Sequence, residues 1–117
     1  MNLPRSSFYL YILDGHTPVA TEDALAWSAM FSDLEKRVVG HDELPNGVRV
    51  STVFIGMPLG TSFMVGPPLL FESMIFGGPE DGYQDRCATW EEAERMHAAA
   101  VTRAWAAALS PPTEDKP

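Results

Sequence analysis

Two β-forming runs decide the fold of this chain: Val48-Arg49-Val50-Ser51-Thr52-Val53-Phe54-Ile55 and Leu69-Leu70-Phe71-Glu72-Ser73-Met74-Ile75-Phe76. Both are rich in β-branched and aromatic residues, which favour strands. The second run holds one carboxylate, Glu72, among apolar neighbours. That side chain has to reach solvent, pair with a cation or serve a function, because burying an unpaired charge is costly. Glu72 is therefore the first candidate site residue.

The composition is that of one globular domain. The chain has 117 residues, of which 45% are hydrophobic and 21% charged. We expect a single α+β domain over residues 1–110 and a disordered tail over residues 111–117. Sixteen acidic against eight basic residues give a formal charge of -8. This charge opposes direct nucleic-acid binding and suits a protein partner with a basic or apolar surface.

Targeting and cysteine signals are sparse. The chain shows neither a signal-peptide pattern nor the roughly 20 consecutive apolar residues of a membrane helix, so we expect a cytoplasmic protein without membrane contact. The single cysteine, Cys87, excludes an internal disulfide and a cysteine-based zinc site. We interpret it as a small, half-buried filler, and we predict no cofactor.

Turn and cap signals divide the chain into the order β-α-β-β-β-β-α. The first strand ends at Asp14-Gly15, residues 16–20 form a loop, and Thr21 caps a helix over residues 22–34. Asn46-Gly47 predicts a hairpin between residues 37–44 and 48–56. The capping box Thr89-Trp90-Glu91-Glu92 begins a helix that ends near residue 109. We predict an antiparallel sheet of four to five strands with two helices on one face. The other face is then solvated or covered by a second copy.

Arg49 is the expected partner of Glu72. If their strands are neighbours, the guanidinium can meet the carboxylate and fix the register of the sheet. Exposure of Glu72 to solvent is the other structural interpretation. The functional interpretation is a general base or a ligand-binding acid.

Histidines provide further candidates. Asp14 and His16 lie at the end of the first strand, where they form either a simple turn or part of a ligand site. His97 falls on the inner side of the last helix, where we expect it to bond to a backbone carbonyl. No HxH or HExxH spacing is present. A metal site of His16, Glu72 and His97 requires that the fold bring them together, and we predict none.

The start and the end of the last helix carry two further candidates. Arg86 and Trp90, at the start, could hold an anion such as a phosphate, although an Asp85–Arg86 pair is the structural alternative. Trp105 lies in the alanine-rich end of the helix, which is typical of a close helix–helix contact. That contact can be between subunits or within the monomer.

An apolar loop over residues 57–68 is the candidate binding surface for a partner. It contains Leu59, Phe63, Met64 and Val65 between glycines and prolines. Exposed together, these side chains would form an interaction patch. Folded back on the core, they would be structural.

Four segments carry a resemblance: Tyr11-Ile12-Leu13-Asp14-Gly15-His16-Thr17-Pro18-Val19, Val48-Arg49-Val50-Ser51-Thr52-Val53-Phe54-Ile55-Gly56, Pro67-Pro68-Leu69-Leu70-Phe71-Glu72-Ser73-Met74-Ile75-Phe76-Gly77-Gly78 and Thr89-Trp90-Glu91-Glu92-Ala93-Glu94. They resemble a small protein family, without an assigned activity, that tailed phages and bacterial prophages encode. The resemblance covers most of residues 8–105. It implies a setting, the cytoplasm of an infected bacterium. Relatives are polar after the second hairpin strand and carry an Asp-His pair there, which residues 57–60 lack.

Three functions follow as expectations. The first is a non-enzymatic, phage-type accessory protein that binds a host protein, for example as a counter-defence inhibitor, and forms a homodimer or higher oligomer. The second is a nucleotide-sequestering protein that uses Arg49, Arg86 and Trp90. The third is a small acid–base enzyme that uses Glu72 with His16 or His97.

Overall fold

The computed structural model describes residues 10–59 and 66–109, and the tail predicted for residues 111–117 lies outside this part of the chain. The elements follow in the order β1 (Leu10–Asp14), β2 (Thr17–Thr21), α1 (Ala24–Ser32), α2 (Leu34–Arg37), β3 (Val38–Glu43), β4 (Arg49–Leu59), β5 (Leu69–Phe76), β6 (Gln84–Cys87) and α3 (Trp90–Leu109). The predicted α+β class is confirmed. A four-stranded antiparallel sheet has the order β3-β4-β5-β6, and β1 and β2 form a separate pair.

The first strand is not part of the main sheet. It pairs with residues 17–21, which we expected to form a loop. Asp14 lies opposite Thr17, so Gly15 and His16 form a two-residue turn, and Gly15 takes the φ of 64° that such hairpins need at this position. Pro18 is tolerated because β2 pairs on one side only. The Asp14-Gly15 signal therefore marks a tight hairpin.

The core lies between one face of the main sheet and the helices. Alternation directs Val50 and Phe54 of β4, together with Phe71 and Ile75 of β5, toward α3. Two buried clusters result, one around Ala100 and Ala104 and the other around Trp90, Ala93 and Met96. Side chains from β1 and α1 pack against the second cluster: Tyr11, Leu13 and Met30. The β1–β2 hairpin, α1 and α3 thus cover the same face.

The opposite face carries none of the described helices. We call it the open face, and three rows of cross-strand neighbours define it: Val38–Val53–Glu72–Arg86, His41–Ser51–Met74–Gln84 and Glu43–Arg49–Phe76. These side chains are half-buried or exposed. Among the described elements, the helices therefore pack on one face of the sheet only.

Both long helices begin at side-chain caps. At α3 the predicted capping box is present: Glu92 N donates to Thr89 Oγ1 (3.1 Å), and Thr89 N donates to Glu92 Oε1 (3.2 Å). At α1 the cap is Asp23, two residues beyond the expected Thr21. Its Oδ1 accepts from Leu25 N (3.0 Å) and Ala26 N (3.1 Å). Thr21 instead accepts from Asp23 N, so it supports the capping residue.

Arg37 joins the helical segment to the sheet. Its side chain is buried, and its Nε and Nη1 donate to the carbonyls of Phe54 and Phe31, each at 2.9 Å. Its guanidinium also lies 3.9 Å from the centroid of the Phe31 ring. Burial lowers the pKa of this guanidinium, because desolvation disfavours its charge. No sequence pattern singled out Arg37.

Gly56 marks an irregularity in β4. The pairing with β5 shifts register between Phe54 and Leu59, and Gly56 has a φ of 79°. A Cβ at this position would lie 2.6 Å from the Tyr11 carbonyl oxygen and 2.6 Å from the Trp27 indole nitrogen. The hairpin and α1 therefore pack directly against backbone that has no side chain.

We predict that Gly56→Ala destabilises the protein by about 2–4 kcal/mol, because left-handed strain and a backbone clash add together. Gly82→Ala is the matched control: Gly82 has a φ of 90° but nothing within 4 Å of its missing Cβ. Urea unfolding followed by circular dichroism measures both. Equal losses in the two variants would contradict the close packing at Gly56.

Candidate functional site

Glu72 forms an ion pair on the open face. Its Oε2 accepts from Arg86 Nε at 3.3 Å, and its side chain is 18% exposed. The expected Arg49–Glu72 pair is not formed. The register places Arg49 opposite Phe76, four residues along β5, and its guanidinium lies 4.8 Å from the centroid of that ring. Glu72 is therefore part of an Arg–Glu ion pair, as one interpretation expected. The cation is Arg86, its direct neighbour on β6, and not Arg49.

The structure does not bring Arg86 and Trp90 into one anion site. Arg86 is held on the open face by Glu72 and by Gln84 Oε1, which accepts from its Nη2 at 3.2 Å. Trp90 is buried on the helix side, with its ring edge-on to Phe71. The expected Asp85–Arg86 ion pair is replaced by a hydrogen bond from Arg86 N to Asp85 Oδ1. Arg49 also lies on the open face, so only two of the three proposed nucleotide contacts share a surface.

His16 fastens the β1–β2 hairpin to α3. Its ring stacks on Trp90 with a centroid separation of 3.8 Å and an angle of 2°. Asp14 is exposed at the other side of the turn, opposite Thr17. Within residues 10–59 and 66–109, no group of three His, Cys, Asp or Glu residues is arranged to hold a metal ion.

A chain of four polar side chains runs under α3. Asp42 Oδ2 lies 2.7 Å from His97 Nε2, and His97 Nδ1 lies 2.7 Å from Thr52 Oγ1. Thr52 Oγ1 in turn lies 2.5 Å from Ser73 Oγ. The expectation for His97 was a backbone carbonyl, and the partners are instead a carboxylate and a hydroxyl. We call this set the polar chain.

When the His97 ring is neutral, hydrogen-bonding capacity sets the direction of the polar chain. A carboxylate only accepts, so His97 Nε2 donates to Asp42. In the neutral ring Nδ1 then accepts from the Thr52 hydroxyl, which leaves Thr52 Oγ1 to accept from Ser73. With these directions, each N–H or O–H group that takes part in the polar chain has an acceptor. Buried polar groups require such partners.

Gly40 makes room for the polar chain. A Cβ on Gly40 would lie 2.6 Å from the Cδ2 atom of His97, so the ring packs directly on the backbone of β3. Sequence reasoning placed His97 correctly at the helix–sheet boundary but missed Asp42, Thr52 and Ser73. The available signal was the polar residues at core-facing strand positions, yet four residues so distant in sequence meet only once the register is known.

The polar chain combines an acid, an imidazole and hydroxyls, but it offers no site for substrate. Thr52 and Ser73 are fully buried, and the His97 side chain is 12% exposed. Only Asp42, at 55%, is open to solvent. A nucleophile must reach its substrate, so this arrangement anchors α3 to the sheet.

The residues proposed for acid–base catalysis are separated by the sheet. Glu72 lies on the open face, whereas His97 lies under α3 and His16 stacks on Trp90 on the helix side. Proton transfer needs contact within hydrogen-bond reach or through one water. Cys87 gives no nucleophile either, because burial and nearby acidic groups raise the pKa of its thiol to about 11.

The first two helices carry three exposed large apolar side chains. Leu25 is 82% exposed, and Phe31 and Leu34 are also exposed. We call this set the helical surface. α1 contains no charged residue and none that is buried. An apolar, uncharged helix is normally buried, so its exposure is unusual for a chain of this charge.

The predicted partner-binding residues lie in different settings in the structure. Trp105 is exposed on α3, with Leu109 exposed one turn later. Residues 57–59 extend β4, where a loop was expected, and Met57 is exposed. Leu59 pairs with Leu69 through its backbone. Phe63, Met64 and Val65 lie outside the described residues.

In comparisons with known proteins, no family model, curated protein or solved structure matches the chain. Among the described residues, no helix is both long and apolar enough to span a membrane.

We predict that Thr52→Val lowers stability by about 2–4 kcal/mol, because it leaves both His97 Nδ1 and the Ser73 hydroxyl without a partner. Ser73→Ala removes only the terminal donor and should cost about 1 kcal/mol. Urea unfolding of the two variants measures the difference. A loss for Ser73→Ala that equals or exceeds the loss for Thr52→Val would contradict the central position of Thr52 in the polar chain.

Proposed function

We propose that this chain is a non-enzymatic binding module that engages another protein through its helical surface. One observation carries the proposal: α1 has nine residues without a charge, none of them is buried, and Leu25 is 82% exposed. Leaving such a surface in water has a cost, since burying one leucine side chain contributes about 1.5–3 kcal/mol. A partner that covers the helical surface recovers this free energy.

The partner we propose is a host protein in the cytoplasm of an infected bacterium, with counter-defence inhibition as the biological role. The resemblance to phage and prophage proteins supports this setting. The charge of -8 supports a partner whose binding site is apolar with a basic rim. The exposed Trp105 and Leu109 supply a second apolar contact on α3. Self-association is part of the same proposal.

The two alternatives receive less support. A nucleotide site needs its cations and its aromatic ring on one surface. Arg86 and Trp90, however, face opposite sides of the sheet. Acid–base catalysis by the expected residues lacks the required proximity, because Glu72 lies on the open face whereas His16 and His97 lie on the helix side. Binding by shape and apolar contact uses the features that the surface does present.

Site-specific crosslinking tests the proposal. A photoreactive residue at position 25, in protein expressed in bacteria, should capture a bacterial protein that mass spectrometry identifies. The same residue at position 98, an exposed alanine on α3, is the control and should not capture it. Leu25→Glu should weaken binding of that partner at least about tenfold, since a buried unpaired charge is unfavourable.

Ala98→Glu adds the same charge at the control position and should bind like the wild type. Crosslinks that are equally abundant at positions 25 and 98, or unchanged affinity in Leu25→Glu, would contradict the proposal. Circular dichroism of each variant establishes that a loss of binding is not a loss of folding.

A further inference from the structure

The open face differs from the rest of the molecule in its formal net charge. Among the described residues, its charged groups are Arg49, Arg86, Glu43 and Glu72, and the His41 imidazole lies 3.4 Å from Glu43. With histidine counted as neutral, the four formal charges cancel, so the net charge of -8 lies on the remainder of the chain. Two copies of an acidic protein repel each other wherever acidic surfaces meet. The open face is where two copies can approach with the least repulsion.

The charges on the open face have neighbours within one copy. Arg86 is held by Glu72 and Gln84, Arg49 lies over the Phe76 ring, and Glu43 lies 3.4 Å from His41. Covering a charge is costly when it loses water without gaining a partner. Glu72 and Arg86 already form an ion pair, and the Glu72 side chain is only 18% exposed before any contact is made. That pair can therefore be covered without separating its two charges.

Apolar side chains occupy the middle of the open face. Val53 of β4 and Met74 of β5 are half-buried, and neither belongs to the two buried clusters under the helices. Sheets that pack face to face bury such positions between layers about 10 Å apart. A second copy would give a four-layer arrangement in which each sheet has a helix layer outside.

We propose that two copies of this chain associate face to face through the open face. This inference rests on the self-association in the proposed function and assigns it a surface distinct from the helical surface. Four strands at about 4.8 Å and six residues at about 3.3 Å give a plane of roughly 400 Å² per copy. That area is small for a permanent dimer, so the association is reversible and depends on concentration.

Sedimentation of the full-length protein from about 1 to 500 μM tests the proposal, a range suited to weak association. The wild type should shift from monomer to dimer, and Met74→Lys should raise the dissociation constant at least about tenfold, because it covers an unpaired ammonium. Ala98→Lys, the control on α3, should dimerise like the wild type. A wild type that stays monomeric throughout, or a Met74→Lys variant that dimerises normally, would overturn the proposal.

Methyl NMR of the wild type keeps the test valid if Met74→Lys does not fold. The Met74 methyl resonance should move with protein concentration, while that of Met96, in the core, stays fixed. The reverse pattern would overturn the proposal. Leu25→Glu should lose the host partner but remain a dimer, so failure of host binding and failure of the dimer give different results. Loss of dimerisation in Leu25→Glu alone would assign the contact to the helical surface instead.

Discussion

The antiparallel pairing of β4 with β5 sets Val53 opposite Glu72 and Arg49 opposite Phe76, and the other placements in the molecule depend on that register. A shift of β5 by one residue along β4 would turn the side chains of β5 to the opposite face. Phe71 and Ile75 would then leave the core, and Glu72 would enter it. With the observed register, β5 also presents Glu72 to Arg86 on β6. One pairing thus determines the core, the ion pair and the open face.

The two faces of the sheet differ in what they can do. The helix side is closed by apolar clusters and by the polar chain, whose hydroxyls are fully buried. Chemistry that needs substrate access has no place there. The open face and the helical surface are more accessible, and the open face sets His41 opposite Ser51 with the imidazole 3.4 Å from Glu43. The exposed apolar side chains support the proposal that the chain binds another protein.

Local signals in the sequence predicted much of the fold. The hairpin at Asn46-Gly47 and the capping box at Thr89 are each determined by a few neighbouring residues, and both occur where the pattern indicated. The cap of α1 was wrong by two residues, because Thr21 and Asp23 can both cap and only the chain direction after β2 selects between them. Pro18 led us to expect a loop where an unpaired strand edge tolerates it.

Features that depend on register or distant contacts were not predictable in the same way. The sequence indicates that Glu72 needs a cation, but Arg49 and Arg86 lie on adjacent strands and only the register chooses Arg86. The polar chain joins four residues from β3, β4, β5 and α3. Nothing local distinguishes Thr52 from any other strand threonine. The exposure of α1 likewise emerged only with the fold, since an apolar helix is expected to be buried.

Two double-mutant cycles test the register most directly. They combine Glu72→Gln with Arg86→Gln and with Arg49→Gln, at dilutions where the protein is monomeric, and the free energy of unfolding is measured by urea titration. The account predicts a coupling of about 0.5–1 kcal/mol for Glu72 with Arg86 and none for Glu72 with Arg49. Coupling of Glu72 to Arg49, without coupling to Arg86, would contradict the register and the division of the sheet into one closed and one open face.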